Sequence, residues 1–192
     1  SLGTYEVVQL GAAVFHESYE ILNINKDFRI IPIKGFGDKS TIRSILVSYL
    51  PDVMLIFSDG RFFNHVFEME DEIHQVCPLI WWHVWDNRPV PYFNKAKYDC
   101  VDTINCISEL TYEMCKNVVD LNKINYIPHT VPSDMFYPLN QDEIKFHKEK
   151  ILGLQKDNFV CIWANRNIKR KRPADVLKAW QIFLMDIDQK YK

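Results

Sequence analysis

Arg166 and Lys171 stand in the run Arg166-Asn167-Ile168-Lys169-Arg170-Lys171-Arg172-Pro173, after the apolar segment Phe159–Trp163 and before a helical stretch that opens at Pro173. Fixed cations at such a place suit a diphosphate. Ligands of open α/β sheets bind at the carboxyl ends of strands, and a helix amino terminus adds a field that favours anions. Arg and Lys aimed at a leaving phosphate stabilise the charge that grows on it. Read by residue type alone, Lys169 to Arg172 is a solvated basic loop. His83 closes the apolar run from Pro78. A residue there either faces a cleft, where its ring orients a hydroxyl or an acceptor, or is a satisfied core histidine. Asp86 and Asn87 follow in Trp85-Asp86-Asn87-Arg88-Pro89-Val90-Pro91, a loop by virtue of its two prolines. It faces an acceptor or is a surface connection. Ser108 sits where an N-cap opens a helix from Glu109. Asp59 reads as a turn or cap residue beside Gly60, and His129 as part of a turn.

Other chemistries find no support. There is no HExxH, Walker loop, DxD-type carboxylate cluster or GxSxG elbow. Asp99 and Asp102 are spaced like loop residues, so no metal site is expected. The cysteines, Cys77, Cys100, Cys106, Cys115 and Cys161, form no CxxC pair. They read as reduced thiols and small buried hydrophobes, which points to a cytoplasmic setting. A net charge of −2 argues against a general nucleic-acid binder. Ser1 to Phe15 lacks a basic leader. No uncharged apolar run approaches the roughly 20 residues that span a bilayer, which leaves room only for peripheral membrane contact.

The elements that must position these residues alternate. Strands are predicted at 6–10, 20–25, 28–33, 53–57, 78–83, 104–107, 123–127 and 159–163. Helices are predicted at 39–49, 62–76, 109–119, 142–152 and 173–188. The wholly apolar Val53–Phe57 suits a strand covered on both faces. The alternation predicts an α/β fold with a Rossmann-like, mostly parallel sheet and helices on both faces. The pattern is interrupted between Val131 and Pro138, so one domain is expected over 1–137 and the start of another over 138–192.

The order of these segments resembles the retaining, group 1 (family 4-like) glycosyltransferases of the GT-B fold. Tyr5-Glu6-Val7-Val8-Gln9-Leu10-Gly11 is similar to the family's second strand, which would place a first strand, a glycine-rich loop and a helix before Ser1. Pro51-Asp52-Val53 is similar to its "PD(V/I)" strand entry, and Cys77 to His83 to the strand that ends in a cleft histidine. Cys106-Ile107-Ser108-Glu109 is similar to a strand closing with serine. Ile127-Pro128-His129-Thr130-Val131 stands for "IPNGV", with Thr130 in place of glycine. Asn165-Arg166 and Lys171-Arg172 stand for "GR" and "KG" or "KR". The family's acidic C-terminal motif is not among these residues.

The resemblance implies an acceptor-side domain followed by the opening of a donor-side domain. It implies transfer of a hexose, with retention, from a nucleotide diphosphate-sugar to a hydroxyl of a glycan, lipid or protein acceptor, without a metal ion or other cofactor. Arg166 and Lys171 would hold the diphosphate and His83 would position the reacting sugars. Ser108, Asp86 and Asn87 would be possible substrate contacts. The alternative from another class is a non-catalytic Rossmann-like module that binds a nucleotide or a partner. A third, a nucleic-acid binder using Lys169 to Arg172 with Trp163, is opposed by the net charge.

Overall fold

The computed structural model describes residues 5–12, 16–153 and 159–190, with the side chains of 188–190 outside the description. Leu154 and much of the stretch from Ser1 to Phe15 therefore lie outside the described residues. The chain divides into two compact units, Ser1–Val131 and Pro132–Lys192.

The first unit opens with β1 (Val7–Gly11), β2 (Leu22–Asn25) and β3 (Phe28–Pro32). They form a sheet in the order β1-β3-β2, with β1 parallel and β2 antiparallel to β3. The helix α1 (Lys39–Tyr49) leads on to β4 (Met54–Ser58). Then come α2 (Asn64–Phe67), α3 (Glu70–His74), β5 (Leu79–His83), α4 (Lys95–Asp99), β6 (Thr103–Cys106), α5 (Glu109–Cys115) and β7 (Ile124–Tyr126). Strands β4 to β7 form a second sheet, all parallel, in sequence order. This is a mixed α/β fold whose four-stranded parallel sheet is flanked by helices, a Rossmann-like module.

The core lies on one face of that sheet. Ile56, Leu79, Trp81, His83, Ile104, Cys106 and Ile124 alternate inward along β4 to β7, as the period of two requires. Ile42 and Leu46 of α1, Ile73 of α3 and Cys115 of α5 pack against them. The other face is more open. Leu55 and Phe57 are about half exposed, at 53% and 49%. The wholly apolar stretch Val53–Phe57 is therefore covered on one face only. Strand β4 pairs with β5 alone and forms the edge of its sheet.

Two further expectations are corrected. The single helix expected over 62–76 is broken into a 3-10 turn at Gly60–Phe62, then α2 and α3. Val66, Phe67, Met69 and Ile73 are all buried. One unbroken helix would spread these four over an arc of about 160°, wider than the usual apolar stripe of about 100°, and the break between α2 and α3 accompanies the burial of all four. The stretch Cys100 and Cys161 also departs from expectation: Cys77, Cys106 and Cys115 are buried, Cys100 is half-buried and Cys161 is exposed, all five being free.

Helix α1 shows how local chemistry sets a boundary. Asp38 accepts from the Thr41 backbone N–H at 2.8 Å and from the Ser40 and Thr41 hydroxyls. These bonds favour the ionised carboxylate and hold its pKa near 2, below the usual 3.8. The sign follows directly. The folded value is depressed, so the capping contribution is complete above about pH 4 and is lost as pH falls toward 2. Asp38→Asn keeps an N-cap acceptor and should flatten this acid limb in helicity-monitored titrations. A limb that is unchanged in the variant would show that the cap is not its source.

In the second unit, α6 (Gln141–Phe146) opens with a capping box between Asn140 and Glu143 and runs into a π-helical turn at His147–Ile151. A 3-10 turn at Lys169–Lys171 precedes α7 (Pro173–Lys190). No strand forms at Phe159–Trp163. A strand is stable only when its backbone groups pair, and the described residues of this unit contain no second strand to pair with.

Candidate functional site

His83 ends β5 and is fully buried. Its Nε2 lies 2.9 Å from the hydroxyl of Tyr98, in α4. That hydroxyl is in turn 3.7 Å from the Cys115 sulfur in α5. Cys106, at the end of β6, completes the group. The polar atoms of four elements thus meet under the carboxyl edge of the sheet. Contact with Cys115 and burial hold the Cys106 thiol protonated. The Cys106 thiol, with His83 and Tyr98 adding to it against the effect of burial, pulls Cys115 down to about 5. Burial, and then Cys115, push the Tyr98 phenol up.

Two groups here lack a partner. The Nδ1 of His83 and the Nε1 of Trp85 are buried without a hydrogen bond among the described residues. The two rings stack at 6.2 Å with 24° between planes, and Phe93 closes edge-on against Trp85 at 5.5 Å. Buried polar atoms are overwhelmingly hydrogen-bonded, so each exception calls for an explanation. Two of the three such atoms among the described residues lie on these neighbouring rings beyond a strand's carboxyl end; the third is His65 Nε2 in α2.

The loops around this point are tied together. The Thr111 hydroxyl donates to the Trp85 carbonyl at 2.8 Å, and the Ile107 N–H to the His83 carbonyl at 3.4 Å. Ser108 is half-buried and caps α5, accepting from the Thr111 N–H at 3.1 Å. Its oxygen also meets the Thr111 hydroxyl at 2.9 Å. Asp59 caps the 3-10 turn at Gly60 through the Arg61 N–H at 3.0 Å and pairs with the Arg61 guanidinium. Asp86 and Asn87 are exposed in the loop beyond β5, where Asn87 accepts from the Arg88 N–H at 2.9 Å.

Arg166 and Lys171 belong to the second unit. Arg166 is exposed and Lys171 is half-buried in the turn before α7. Arg172 there takes a left-handed backbone, with φ of 48°, and pairs with Asp175 in the first turn of α7. Of the expected site residues, the first unit therefore gathers His83 and Ser108 at adjacent strand ends, with Asp86 and Asn87 in the loop between. Arg166 and Lys171 form a separate basic turn.

Sequence reasoning missed Tyr98, Trp85, Thr111 and Cys115 as members of this group. Tyr98 lies in a stretch read as loop, yet Lys95 and Asp99 pair at helical i, i+4 spacing. That spacing, with Tyr98 and Val101 as the apolar side, was the available signal. Among the described residues no cluster of three or more His, Cys, Asp or Glu could hold a metal ion. No helix there is long and apolar enough to cross a membrane.

Comparison with protein-family models, with curated proteins and with solved structures finds no match to this chain. Fold and site together define a Rossmann-like α/β module with a cluster of buried polar side chains, His83, Tyr98, Cys106 and Cys115, near the carboxyl edge of its parallel sheet.

Proposed function

We propose that this chain carries a Rossmann-like binding module whose ligand, a nucleotide or a partner's polar group, is received at the carboxyl ends of β4 to β7. The observation that carries the reading is the pair of unpartnered buried atoms, His83 Nδ1 and Trp85 Nε1. Open parallel sheets take their ligands at this edge, and one acceptor placed between a ring N–H and an indole N–H satisfies both. The reading requires a proton on His83 Nδ1, with Nε2 accepting from the Tyr98 hydroxyl 2.9 Å away.

The finer reading is a glycosyltransferase that moves a hexose from a nucleotide diphosphate-sugar to an acceptor hydroxyl with retention. It is supported by the ordered series of segments and by the basic turn before α7, where Arg166 and Lys171 suit a diphosphate. In it His83 positions the reacting sugar, the two cations stabilise the leaving diphosphate, and no metal is invoked. The binding module needs fewer assumptions and is the main conclusion.

The test uses the product of the whole gene. UDP, GDP and ADP, and their sugar conjugates, are titrated while thermal unfolding and Trp fluorescence are followed. A true ligand at about 100 times its Kd adds about 2.7 kcal/mol of stability, and His83→Leu should abolish that gain. Absence of stabilisation by every nucleotide would remove the nucleotide from the reading. Release of nucleoside diphosphate from one conjugate, reduced about 10- to 100-fold in Lys171→Ala by loss of a charge-assisted contact worth about 1.5–3 kcal/mol, would establish transfer. Binding without release leaves the module non-catalytic.

A further inference from the structure

Cys106 and Cys115 are fully buried nucleophilic side chains that the binding reading does not use. Cys106 closes β6, and Cys115 is the last residue of α5. The Ser108 cap opens α5 directly after β6, and the helix packs back on the sheet with both cysteines in one core cluster. Their thiols interact directly. The Tyr98 hydroxyl stands 3.7 Å from the Cys115 sulfur and 2.9 Å from His83 Nε2. Cys106 lies opposite His83 in the ladder between β5 and β6.

A buried cysteine commonly serves as a small hydrophobe. Among the described residues, the other three cysteines fit that role or are merely exposed. Cys77 is buried and bonded to the Met54 backbone, Cys100 donates to the Ala96 carbonyl at 3.0 Å, and Cys161 is exposed in the second unit. None of them meets a second thiol. In the pair, thiol meets thiol, and polar groups surround one of the two. The thiolate is the nucleophile in cysteine chemistry. Cys115 is held toward that form by the Cys106 thiol first and then by His83 and Tyr98, against the effect of burial. Cys106 is held as the thiol, first by its contact with Cys115 and then by burial. The two sulfurs are thus differentiated into an attacking and a resolving partner.

We infer that Cys106 and Cys115 form a redox-active dithiol, which a small hydroperoxide converts to an intramolecular disulfide. The Cys115 sulfur attacks the O–O bond and keeps one oxygen as a sulfenic acid, while the other oxygen leaves as water. The Cys106 sulfur then displaces the sulfenic hydroxyl, which takes the Cys106 proton and leaves as a second water. The two thiols lose two hydrogens and one electron pair, and the peroxide is reduced by that pair. The contact that held the Cys106 proton is lost once Cys115 is oxidised, which favours the second step. The sulfurs move from contact to a bond of about 2.05 Å. Burial restricts the oxidant to one of nearly water size, admitted as α5 opens locally. The bridge fastens the end of α5 to the end of β6 and takes from Tyr98 the thiol that it meets.

The product of the whole gene, reduced and then freed of reductant, is treated with hydrogen peroxide, alkylated in urea and digested. Mass spectrometry should find Cys106 and Cys115 joined, lighter by two hydrogens, with Cys77 still alkylated. Dithiothreitol should restore both thiols. Cys106→Ser should leave Cys115 as a sulfenic acid that dimedone traps. Cys115→Ser should leave Cys106 open to alkylation after the same treatment. Should either variant fail to fold, the mapping of the unaltered protein decides alone. The inference is overturned if both thiols remain intact once peroxide has oxidised the exposed Cys161. It is overturned equally if the bridge forms only in protein unfolded by urea, or if either sulfur is found joined to another cysteine. No ligand takes part in this test, so its failure leaves the nucleotide reading standing, and failure of that reading leaves the dithiol standing.

Discussion

Trp81→Ala is expected to cost about 3–5 kcal/mol of stability, the range for emptying a buried aromatic site. Trp81 is fully buried in the middle of β5. Its ring packs against Phe67 at 5.0 Å, Tyr98 at 5.4 Å and His83 at 4.1 Å between centroids. Its Nε1 donates to the Ser58 carbonyl at 3.0 Å, which fixes the end of β4. The chain makes room for it: a Cβ at Gly60 would stand 2.5 Å from the indole edge, so a glycine must begin the turn after β4. A whole domain has roughly 5–15 kcal/mol in hand, and the substitution consumes much of it. Urea unfolding should show a lower midpoint at unchanged slope. A loss below about 1 kcal/mol would mean that the space collapses and that Trp81 does not organise the core. Because the ring also backs His83, the variant should loosen the site even where it remains folded.

That dependence explains what was legible from residue order. Helix α1 carries both its boundaries in its residues, with Asp38 as the cap and Pro51 beyond the end, and the structure places it over the expected Lys39–Tyr49. Strands β5 and β6 lie within the stretches expected for them, 78–83 and 104–107 to within a residue, but Leu79 to Trp82 is apolar throughout and which side faces the core follows only from the structure. What failed was whatever depends on neighbours distant in sequence. Val53–Phe57 is apolar throughout, and composition alone cannot say that β4 lies at an edge. Phe159–Trp163 has a strand's composition and no partner strand among the described residues of its unit. The break between α2 and α3 answers to four side chains competing for one core. The polar group around His83 was half legible. The strand end and the Ser108 cap follow from local rules, whereas the meeting of Tyr98, Cys115 and His83 depends on how α4 and α5 lie against the sheet.

The second large effect separates a histidine kept for packing from one kept for a ligand. Tyr98→Phe removes the hydroxyl that lies 2.9 Å from His83 Nε2, in a buried ring whose Nδ1 already lacks a partner among the described residues. An unsatisfied buried polar group costs about 1–3 kcal/mol, so the variant should unfold at correspondingly lower urea. His83→Leu in the same background removes the stranded ring. Replacing both partners of a buried bond with apolar groups is often close to neutral, so the double variant should recover most of the loss. The coupling, read from a double-mutant cycle, should be about 1–2 kcal/mol. If the cycle shows no coupling, the 2.9 Å contact contributes nothing and the tautomer argument falls with it. Ligand binding gives the other half of the contrast. The double variant regains stability and still lacks the Nδ1 of His83, so nucleotide should stabilise the original protein and not this variant. Tyr98→Phe alone keeps that nitrogen but loses the bond that fixes its proton, and should bind with an affinity between the two.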